Sequence, residues 1–307
     1  MRRSVAIAVA ALLVLAPAAR ALVINGGLAG NASNSGSGLP WNNVGSVNGA
    51  SGVYLGSYGG SYWALTASHV VGSGSSLGNL VLNSGTFNFV PGSGVIVLNG
   101  DNSTTDLTLF RISTDPGLSS LTLSTTAPGS ASLITYVAKG SVEGSVNYWS
   151  VTVNAGPNND VWIDLGNNPT GNNAAGYLVA GSVGERWGQA TVTSSSSYNV
   201  GTGLTAAFYT TFQNASGATQ GAGGDSGGAT FYYNGSGWEL AGIMGAIAGF
   251  ENQPGSAAVI GNLTFSASIA NYNGFITSAI PEPSAYAALA GLLALAGAAC
   301  RRRLGPR

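Results

Sequence analysis

Short hydrophobic runs, rich in β-branched and aromatic residues, recur along the chain between stretches of Gly, Ser, Asn and Thr. They cover residues 52–55, 61–66, 107–112, 132–138, 161–165, 207–212, 229–233 and 238–247. Strands at a spacing of roughly 8–12 residues are typical of sandwiches and barrels, and no long stretch of residues 22–279 has the apolar period of a helix. The pattern predicts an all-β domain whose helices are few and short.

The clearest local prediction is a β-hairpin. Residues 229–233 and 238–244 have strand character, and Asn234-Gly235-Ser236-Gly237 separates them. Asn-Gly favours the positive φ angles that a tight turn needs. Polar clusters at 156–160 and 166–176, and the four serines at 194–197, predict surface loops.

The N-terminus predicts export. Two arginines follow Met1, residues 5–15 are apolar, and Ala19-Arg20-Ala21 comes next. This order is that of a secretory signal peptide over residues 1–21, cleaved after Ala21, and an uncleaved anchor is the alternative.

The C-terminus changes character after Ile280. Pro281-Glu282-Pro283 precedes an Ala/Leu/Gly-rich run at 285–300, and Arg301-Arg302-Arg303 follows. As a helix the run reaches roughly 24 Å, just short of a hydrocarbon core of about 30 Å. Residues 280–307 therefore predict a marginal C-terminal transmembrane helix whose arginines stay on the cytoplasmic side.

Charge and cysteine content restrict the function of the middle segment. Between residues 22 and 280 there are three basic residues and ten acidic ones, which argues against nucleic acid as a partner because phosphates need clustered Lys and Arg. The one cysteine, Cys300, lies in the tail, so an exported domain has no intrachain disulfide and depends on its core for stability. Clustered Cys and His spacings are absent and there is a single histidine, so we expect no metal or other cofactor.

The single histidine, His69, is the natural partner for a serine nucleophile. Ser226 lies in the glycine-rich segment Gly223-Gly224-Asp225-Ser226-Gly227-Gly228. A serine is a poor nucleophile until a positioned base takes its proton, and imidazole suits that task near neutral pH. If Ser226 is a nucleophile, His69 is its base.

An acid that orients His69 is less certain from the residues alone. Asp106 opens the apolar run at 106–112, but an aspartate before a strand is as often a turn residue. The competing acids are Asp101, Asp115, Asp160 and Asp164. Asp106 is favoured because a β-rich run follows it directly and the order His, Asp, Ser results.

The glycines around Ser226 suit an oxyanion hole. Backbone N–H groups must converge on one point, and residues without Cβ reach the necessary dihedral angles at little cost. Gly224 and Ser226 are the candidate donors. Gly224 and Gly228 also fit the GxSxG pattern of α/β-hydrolases, but that motif needs a helix after the serine, and a β-rich run follows here.

Three blocks together resemble the signature segments of the trypsin-like (chymotrypsin-fold) serine peptidases: Thr66-Ala67-Ser68-His69, Asp106-Leu107-Thr108-Leu109 and Gly224-Asp225-Ser226-Gly227-Gly228. The resemblance implies two six-stranded antiparallel β-barrels over residues 22–279, with the active site between them. It assigns His69 as general base, Asp106 as its orienting acid, Ser226 as nucleophile, and the N–H groups of Gly224 and Ser226 to the oxyanion.

The same resemblance implies further roles. Gln220 stands at the base of the primary specificity pocket, and Gly245-Ala246-Ile247 forms the substrate-binding backbone. Without a carboxylate at 220, a preference for Arg or Lys is not supported, and an uncharged side chain fits better. Val23-Ile24-Asn25-Gly26-Gly27 resembles the family's mature N-terminus, whose amine would pair with Asp225, although cleavage after Ala21 leaves one residue more.

Two departures from the family pattern stand out. Val70 replaces a common cysteine, in line with the absence of disulfides. Gly245 replaces the serine that usually supports the catalytic aspartate, so Asp106 needs a different partner.

The tail at 280–307 resembles the PEP-CTERM sorting signal of Gram-negative bacteria. That resemblance implies an exosortase-type membrane enzyme as a partner, transient anchoring in the inner membrane, and a cell-surface or extracellular location. The sequence thus predicts an exported serine endopeptidase acting on protein or peptide substrates. A non-catalytic surface protein, either a pseudoenzyme or a matrix or adhesive module, is the alternative.

Overall fold

The computed structural model describes residues 22–27, 29–71, 77–154 and 156–280, and these are mostly β-structure. The strands are β1 (Val23–Ile24), β2 (Val44–Val47), β3 (Ala50–Tyr58), β4 (Ser61–Thr66), β5 (Leu80–Leu82), β6 (Gly85–Phe87), β7 (Val95–Leu98), β8 (Thr104–Ile112), β9 (Thr122–Leu123), β10 (Leu133–Thr152), β11 (Val161–Gly166), β12 (Ala174–Tyr198), β13 (Thr205–Thr211), β14 (Thr219–Gln220), β15 (Ala229–Tyr233), β16 (Trp238–Ala248), β17 (Ala257–Val259) and β18 (Leu263–Ser268). The α-helices are α1 (Ser68–Val71) and α2 (Ile269–Ala279), and 3-10 turns occur at Ala29–Ala32 and Trp41–Asn43.

The first sheet holds seven strands in the order β6-β5-β2-β3-β4-β8-β7. Its order is open, but the segment that follows β6 bends back toward the end of β8. There the N–H of Val90 donates to the C=O of Arg111 at 2.9 Å, and the N–H of Ser113 donates to the C=O of Asn88 at 2.8 Å. The first unit is therefore a curled seven-stranded sheet rather than the predicted closed barrel of six, because β7 adds an edge strand beside β8.

The second sheet holds nine strands, six of which form a ring. The ring runs β10-β15-β16-β18-β13-β12, and pairing between β10 and β12 closes it. Strands β9, β11 and β17 attach outside the ring. The predicted hairpin is present within it as β15 and β16, with Tyr233 opposite Trp238.

Strands β10 and β12 are much longer than the hydrophobic runs predict, with 20 and 25 residues. The prediction of a loop at residues 194–197 is wrong, since these serines end β12 and pair with β13 from Ser194 opposite Tyr209 to Ser197 opposite Ala206. Their side chains are all exposed. The hydrogen bonds of the ladder come from the backbone, so a neighbouring strand holds a segment whose own side chains favour a loop.

The central strands β3 and β8 of the first sheet are buried on both faces along most of their length. In β3, Tyr54 packs inside the curled sheet, whereas Val53 and Leu55 belong to a core shared with Phe231 and Leu240 of the second sheet. Alternate residues of β3 therefore pack into two different hydrophobic cores, which explains why Val53, Tyr54 and Leu55 are all apolar. This shared core joins the two sheets, and the candidate site lies between them.

The two ends of the chain lie outside the described residues. Residues 1–21 carry the predicted signal peptide, and residues 281–307 carry nearly all of the predicted sorting tail and membrane helix. Within the part that is described, no helix is both long and apolar enough to cross a bilayer.

Candidate active site

His69 lies in α1, directly after β4. Two hydroxyl contacts hold this turn: Thr66 Oγ1 donates to the C=O of Ser51 at 2.7 Å, and the hydroxyls of Ser68 and Thr108 share a hydrogen bond of 2.8 Å. The side chain of His69 is 28% exposed, so one edge of the imidazole is open to solvent.

Asp106, in β8, is fully buried, and its carboxylate accepts hydrogen bonds from both the backbone and the ring of His69. Its Oδ1 accepts the backbone N–H of His69 at 2.9 Å. The ring Nδ1 lies 2.8 Å from Oδ2 and 3.0 Å from Oδ1. Because a carboxylate only accepts hydrogen bonds, Nδ1 carries the imidazole proton in the neutral ring and Nε2 is left as an acceptor.

Ser226 comes from the second sheet and completes the group. Its Oγ lies 2.8 Å from Nε2 of His69. With Nε2 as acceptor, the hydroxyl donates its proton toward the imidazole. The structure thus brings together the three residues that the sequence singles out, across 157 positions between His69 and Ser226.

None of the competing acids contacts His69 in the described chain. Asp101 is exposed and accepts hydrogen bonds from Ser103. Asp115 accepts from the hydroxyl of Tyr54, and Asp164 accepts from Asn147. Asp160 accepts from the N–H of Asn154. Of these five acids, Asp106 is the one whose side chain contacts His69 among the described residues.

The turn that carries Ser226 requires glycine at two positions. Gly224 and Gly227 have φ angles of +88° and +86°, in the left-handed region that favours glycine. A Cβ on Gly227 would also lie 2.0 Å from the carbonyl oxygen of Ser51. The turn can therefore press against β3 of the first sheet only with glycine at 227.

Ser51, which sequence reasoning missed, fixes this turn from the first sheet. Its N–H donates to the C=O of Ser226 at 2.9 Å, and its Oγ donates to the C=O of Gly224 at 3.1 Å. The same Oγ accepts the N–H of Lys139 at 2.9 Å. These contacts orient the peptide group between Gly224 and Asp225 and the one between Ser226 and Gly227. No local motif marks Ser51, because its partner lies 173 positions away.

Two backbone N–H groups beside the nucleophile have no hydrogen-bond partner among the described residues. The N–H groups of Asp225, Gly227 and Gly228 all donate to backbone carbonyls. By contrast, the N–H groups of Gly224 and Ser226 make no hydrogen bond within the described residues. These are the two donors predicted for an oxyanion hole, and they are available for a ligand.

A cavity of about 100 Å³ opens beside Ser226. Its lining also includes the buried Asp225, and most of the other residues are small or apolar: Gly221, Ala222, Gly223, Met244, Gly245, Ala246 and Ile247. Thr264 also lines it, and its Oγ1 accepts the N–H of Gly221 at 3.0 Å. Three of the four residues predicted to bind substrate, Gly245 to Ile247, therefore border the cavity next to the nucleophile.

The fourth, Gln220, does not line this cavity, so its place at the base of a specificity pocket stays a prediction. Gln220 is buried in β14, opposite Val23 of β1. This pairing turns it away, and Gly221 borders the cavity instead. A Cβ at Gly221 would lie 2.8 Å from the terminal methyl of Met244, so Met244 closes the cavity there.

Asp225 is buried and lies close to the start of β1. Its side chain is 2% exposed, and Oδ2 accepts the N–H of Ala222 at 2.6 Å. Burial raises the pKa of Asp225 well above its usual range, although the N–H groups of Ala222 and Leu22 oppose this. The residue near the carboxylate is thus Leu22, the first after the predicted cleavage site, rather than Val23.

Asp106 has two further donors that sequence reasoning did not find. The hydroxyl of Tyr198 lies 3.1 Å from Oδ2, and Thr202 Oγ1 lies 3.0 Å from Oδ1. A Cβ at Gly245 would lie 1.8 Å from the Tyr198 hydroxyl. Tyr198, from β12, therefore supports Asp106 in the place where the resemblance implies a serine at position 245.

No known family profile and no curated protein sequence matches the chain. Among solved structures it is similar to Rv3671c of Mycobacterium tuberculosis H37Rv, at 10% identity over 80% of this chain and 91% of that chain, with a TM-score of 0.44. It is also similar to a Glu endopeptidase (15% identity, 85% and 96% coverage, TM-score 0.43) and to the NS6 protease of murine norovirus (14%, 75% and 93%, TM-score 0.37). All three are proteases. Each likeness is loose, so what the site can do follows from its own geometry.

Proposed function

We propose that this chain is a serine endopeptidase that cleaves peptide bonds through an acyl-enzyme. One observation carries the proposal: a buried carboxylate, an imidazole and a hydroxyl form a continuous chain, with 2.8 Å between Oδ2 and Nδ1 and 2.8 Å between Nε2 and Oγ. In such an arrangement the imidazole can take the proton of the serine hydroxyl as its oxygen attacks a carbonyl carbon, which makes the serine an effective nucleophile.

Acylation uses each of the three groups. Ser226 Oγ attacks the carbonyl carbon as His69 Nε2 takes its proton, and Asp106 stabilises the resulting imidazolium. The oxygen of the tetrahedral intermediate accepts hydrogen bonds from Gly224 and Ser226 N–H groups. The C–N bond then breaks, and the proton on Nε2 goes to the leaving amine.

Deacylation repeats these steps with water. His69 Nε2 removes a proton from the attacking water, the ester bond to Ser226 Oγ breaks, and the proton returns to Oγ. The products are a carboxylic acid and the free enzyme. All protons therefore move through one imidazole.

The edge of β16 offers a place for the substrate backbone. Pairing with β15 ends at Ile243, whereas pairing with β18 continues to Ala248. Met244 still exchanges backbone hydrogen bonds with Gly227 and Gly228. From Gly245 onward this edge of β16 has no partner strand in the described chain. An extended peptide that adds to this edge directs one side chain into the cavity beside Ser226.

The direct test is hydrolysis of an unstructured protein such as casein by the purified protein, with Ser226→Ala as the control. We expect internal cleavage that disappears in the variant. A folded protein that cleaves neither casein nor a peptide library would favour the alternative, a non-catalytic surface protein.

The cavity predicts a preference for a small uncharged side chain before the cleaved bond. The cavity has a volume of only about 100 Å³, and Met244 closes it beside Gly221. Met244→Ala should therefore raise kcat/KM for Leu or Phe substrates, relative to Ala substrates, by about tenfold or more. The measurement is kcat/KM over a peptide series. Ile243→Val is the control, because Ile243 packs in the core shared by the sheets, and an equal change in both variants would refute the assignment.

We also propose that removal of residues 1–21 gives Asp225 an ionic partner. The α-amine of Leu22 would then lie where its N–H lies now, inside a fully buried segment. A buried carboxylate with a cation is tolerated, whereas one without a partner takes up a proton.

An alanine added before Leu22 should remove this pair. Without its partner, Asp225 has a raised pKa in the folded protein, so the folded protein binds a proton more tightly than the unfolded chain does. The free energy of unfolding therefore falls as the pH rises from the ordinary pKa of an aspartate through the raised pKa of Asp225. We expect the free energy of unfolding of the extended form, relative to the Leu22 form, to fall as pH rises from 5 to 8, measured by denaturant unfolding.

Asp225→Asn in the extended form is the matched comparison. It should abolish the added pH dependence. Burial also raises the pKa of Glu185 to about 7, but this group is present in every form and cancels. Equal pH dependence with and without the added alanine would contradict the pairing.

Export, the exosortase-type partner and surface location remain predictions from residues 1–21 and 280–307. Mass spectrometry of protein recovered from the native cell surface and medium tests them. We expect a chain that starts at Leu22 and ends near Pro281.

A further inference from the structure

One short segment of the second sheet surrounds Asp106. The hydroxyl of Tyr198 donates to Oδ2, and the hydroxyl of Thr202 donates to Oδ1. Thr205 Oγ1 accepts the backbone N–H of Asp106 at 2.8 Å. Residues 198–205 therefore contact the carboxylate on both oxygens and fix the backbone that carries it.

The segment is itself tied to the first sheet beside Asp106. Thr104 Oγ1 donates to the C=O of Thr202 at 2.7 Å, and Asn99 Nδ2 donates to the C=O of Leu204 at 2.9 Å. Gly203 has a φ of +133°, and a Cβ there would lie 1.9 Å from the carbonyl oxygen of Thr104. This close approach requires glycine, so the segment has little freedom to shift.

Tyr198 reaches Asp106 through space that a side chain at 245 would fill. The tyrosine is 5% exposed. A Cβ at Gly245 would lie 1.8 Å from its hydroxyl oxygen and 2.4 Å from the ring carbon that bears it. The glycine and the tyrosine are thus a matched pair from β16 and β12.

We propose that residues 198–205 form the positioning element for Asp106, with Tyr198 and Thr202 as positioning residues that act through Asp106 on His69. The catalytic consequence rests on the proposed function, whereas the effect on His69 does not. The two hydroxyls take up lone pairs of the carboxylate that His69 leaves free, and they hold its plane in line with Nδ1.

Tyr198 can serve as a donor over the whole working range of pH. Burial and the adjacent charge of Asp106 raise the pKa of Tyr198 well above its ordinary value, so the hydroxyl keeps its proton. The ionisable groups around it are Asp106, His69 beyond the carboxylate, and Tyr272, whose pKa burial also raises.

The test compares Tyr198→Phe and Thr202→Val with Tyr136→Phe. Tyr136 is also buried in the second sheet, and its hydroxyl bonds to Thr210 and not to Asp106. We expect kcat/KM to fall about tenfold in each of the first two variants and about a hundredfold in the double variant, mainly in kcat. Tyr136→Phe lowers the melting temperature but leaves kcat unchanged.

A second readout, the NMR signal of His69, does not depend on enzymatic activity. It is unambiguous because the chain has one histidine. In the untagged protein a single imidazole Hε1 NMR signal reports the titration of His69. Loss of a donor concentrates the charge of Asp106 toward the ring, which favours the imidazolium. We expect the titration midpoint, and the acidic limb of the kcat/KM profile, to move to higher pH in Tyr198→Phe and Thr202→Val but not in Tyr136→Phe.

The outcomes separate the two proposals. If the wild-type protein has no activity that depends on Ser226, the proposed function fails, but the NMR titration still tests the positioning element. If the wild-type protein is active and the His69 titration is unchanged in both Tyr198→Phe and Thr202→Val, the positioning role is refuted.

Discussion

Ser226→Ala and His69→Ala each lower kcat for peptide hydrolysis by about 10⁶-fold, and the double variant loses no more than either single one. The reason is that Oγ and Nε2, 2.8 Å apart, act as one unit: without the base the hydroxyl keeps its proton, and without the hydroxyl the base has nothing to activate. Kinetics of all three variants on one peptide substrate provide the measurement.

The control for this pair is Ser195→Ala, an exposed serine in β12. It should leave kcat unchanged. The chain contains no other histidine to act in place of His69. Substantial activity in His69→Ala, or losses that add in the double variant, would therefore rule out the mechanism.

Asp106→Asn lowers kcat by about 10⁴-fold with the fold retained. The cause lies in the donors around the carboxylate. The backbone N–H of His69 can only donate, and both it and the hydroxyl of Thr202 donate to Oδ1, so the amide keeps its oxygen there. Its NH₂ group then replaces Oδ2, 2.8 Å from Nδ1. The hydroxyl of Tyr198, which donates to Oδ2, can rotate to accept from the NH₂ group instead. Nδ1 must accept, the proton moves to Nε2, and His69 can no longer take the proton of Ser226.

Kinetics and thermal unfolding together check this expectation. Asp101→Asn is the matched control, because Asp101 is exposed and bonds only to Ser103 among the described residues. It should change neither quantity. A kcat for Asp106→Asn within tenfold of wild type would show that Asp106 does not set the tautomer of His69.

The pattern of apolar and polar residues within one segment predicts a strand where that segment itself is apolar or alternates. The hairpin of β15 and β16 has both an apolar alternation and a turn motif, and it forms as predicted. The long strands β10 and β12 extend far beyond any such signal. Their Ser-rich and Gly-rich parts are strand because neighbouring strands complete the ladder, and a single segment carries no information about that pairing.

The same division applies to the site. His69, Asp106 and Ser226 were predictable because each occurs in a recognisable block, and the rest depends on distant contacts. The pairing of Gln220 with Val23, 197 positions away, is one such contact, and no local pattern around Gln220 indicates it. Tyr198 follows a run of serines and has no motif. The glycine at 245, in place of a serine, indicated that Asp106 needed another partner. That this partner is Tyr198 follows only from the structure, in which the Tyr198 hydroxyl occupies the space that a side chain at 245 would fill.

The central claim is that Ser226 is an activated nucleophile, and its most direct test is covalent labelling by a fluorophosphonate. The purified protein, with its N-terminus verified as Leu22, is treated with the probe, digested and mapped by mass spectrometry. We predict one labelled residue, Ser226, with the label lost in His69→Ala. A folded protein that stays unlabelled, or that is labelled equally well in His69→Ala, would contradict the claim.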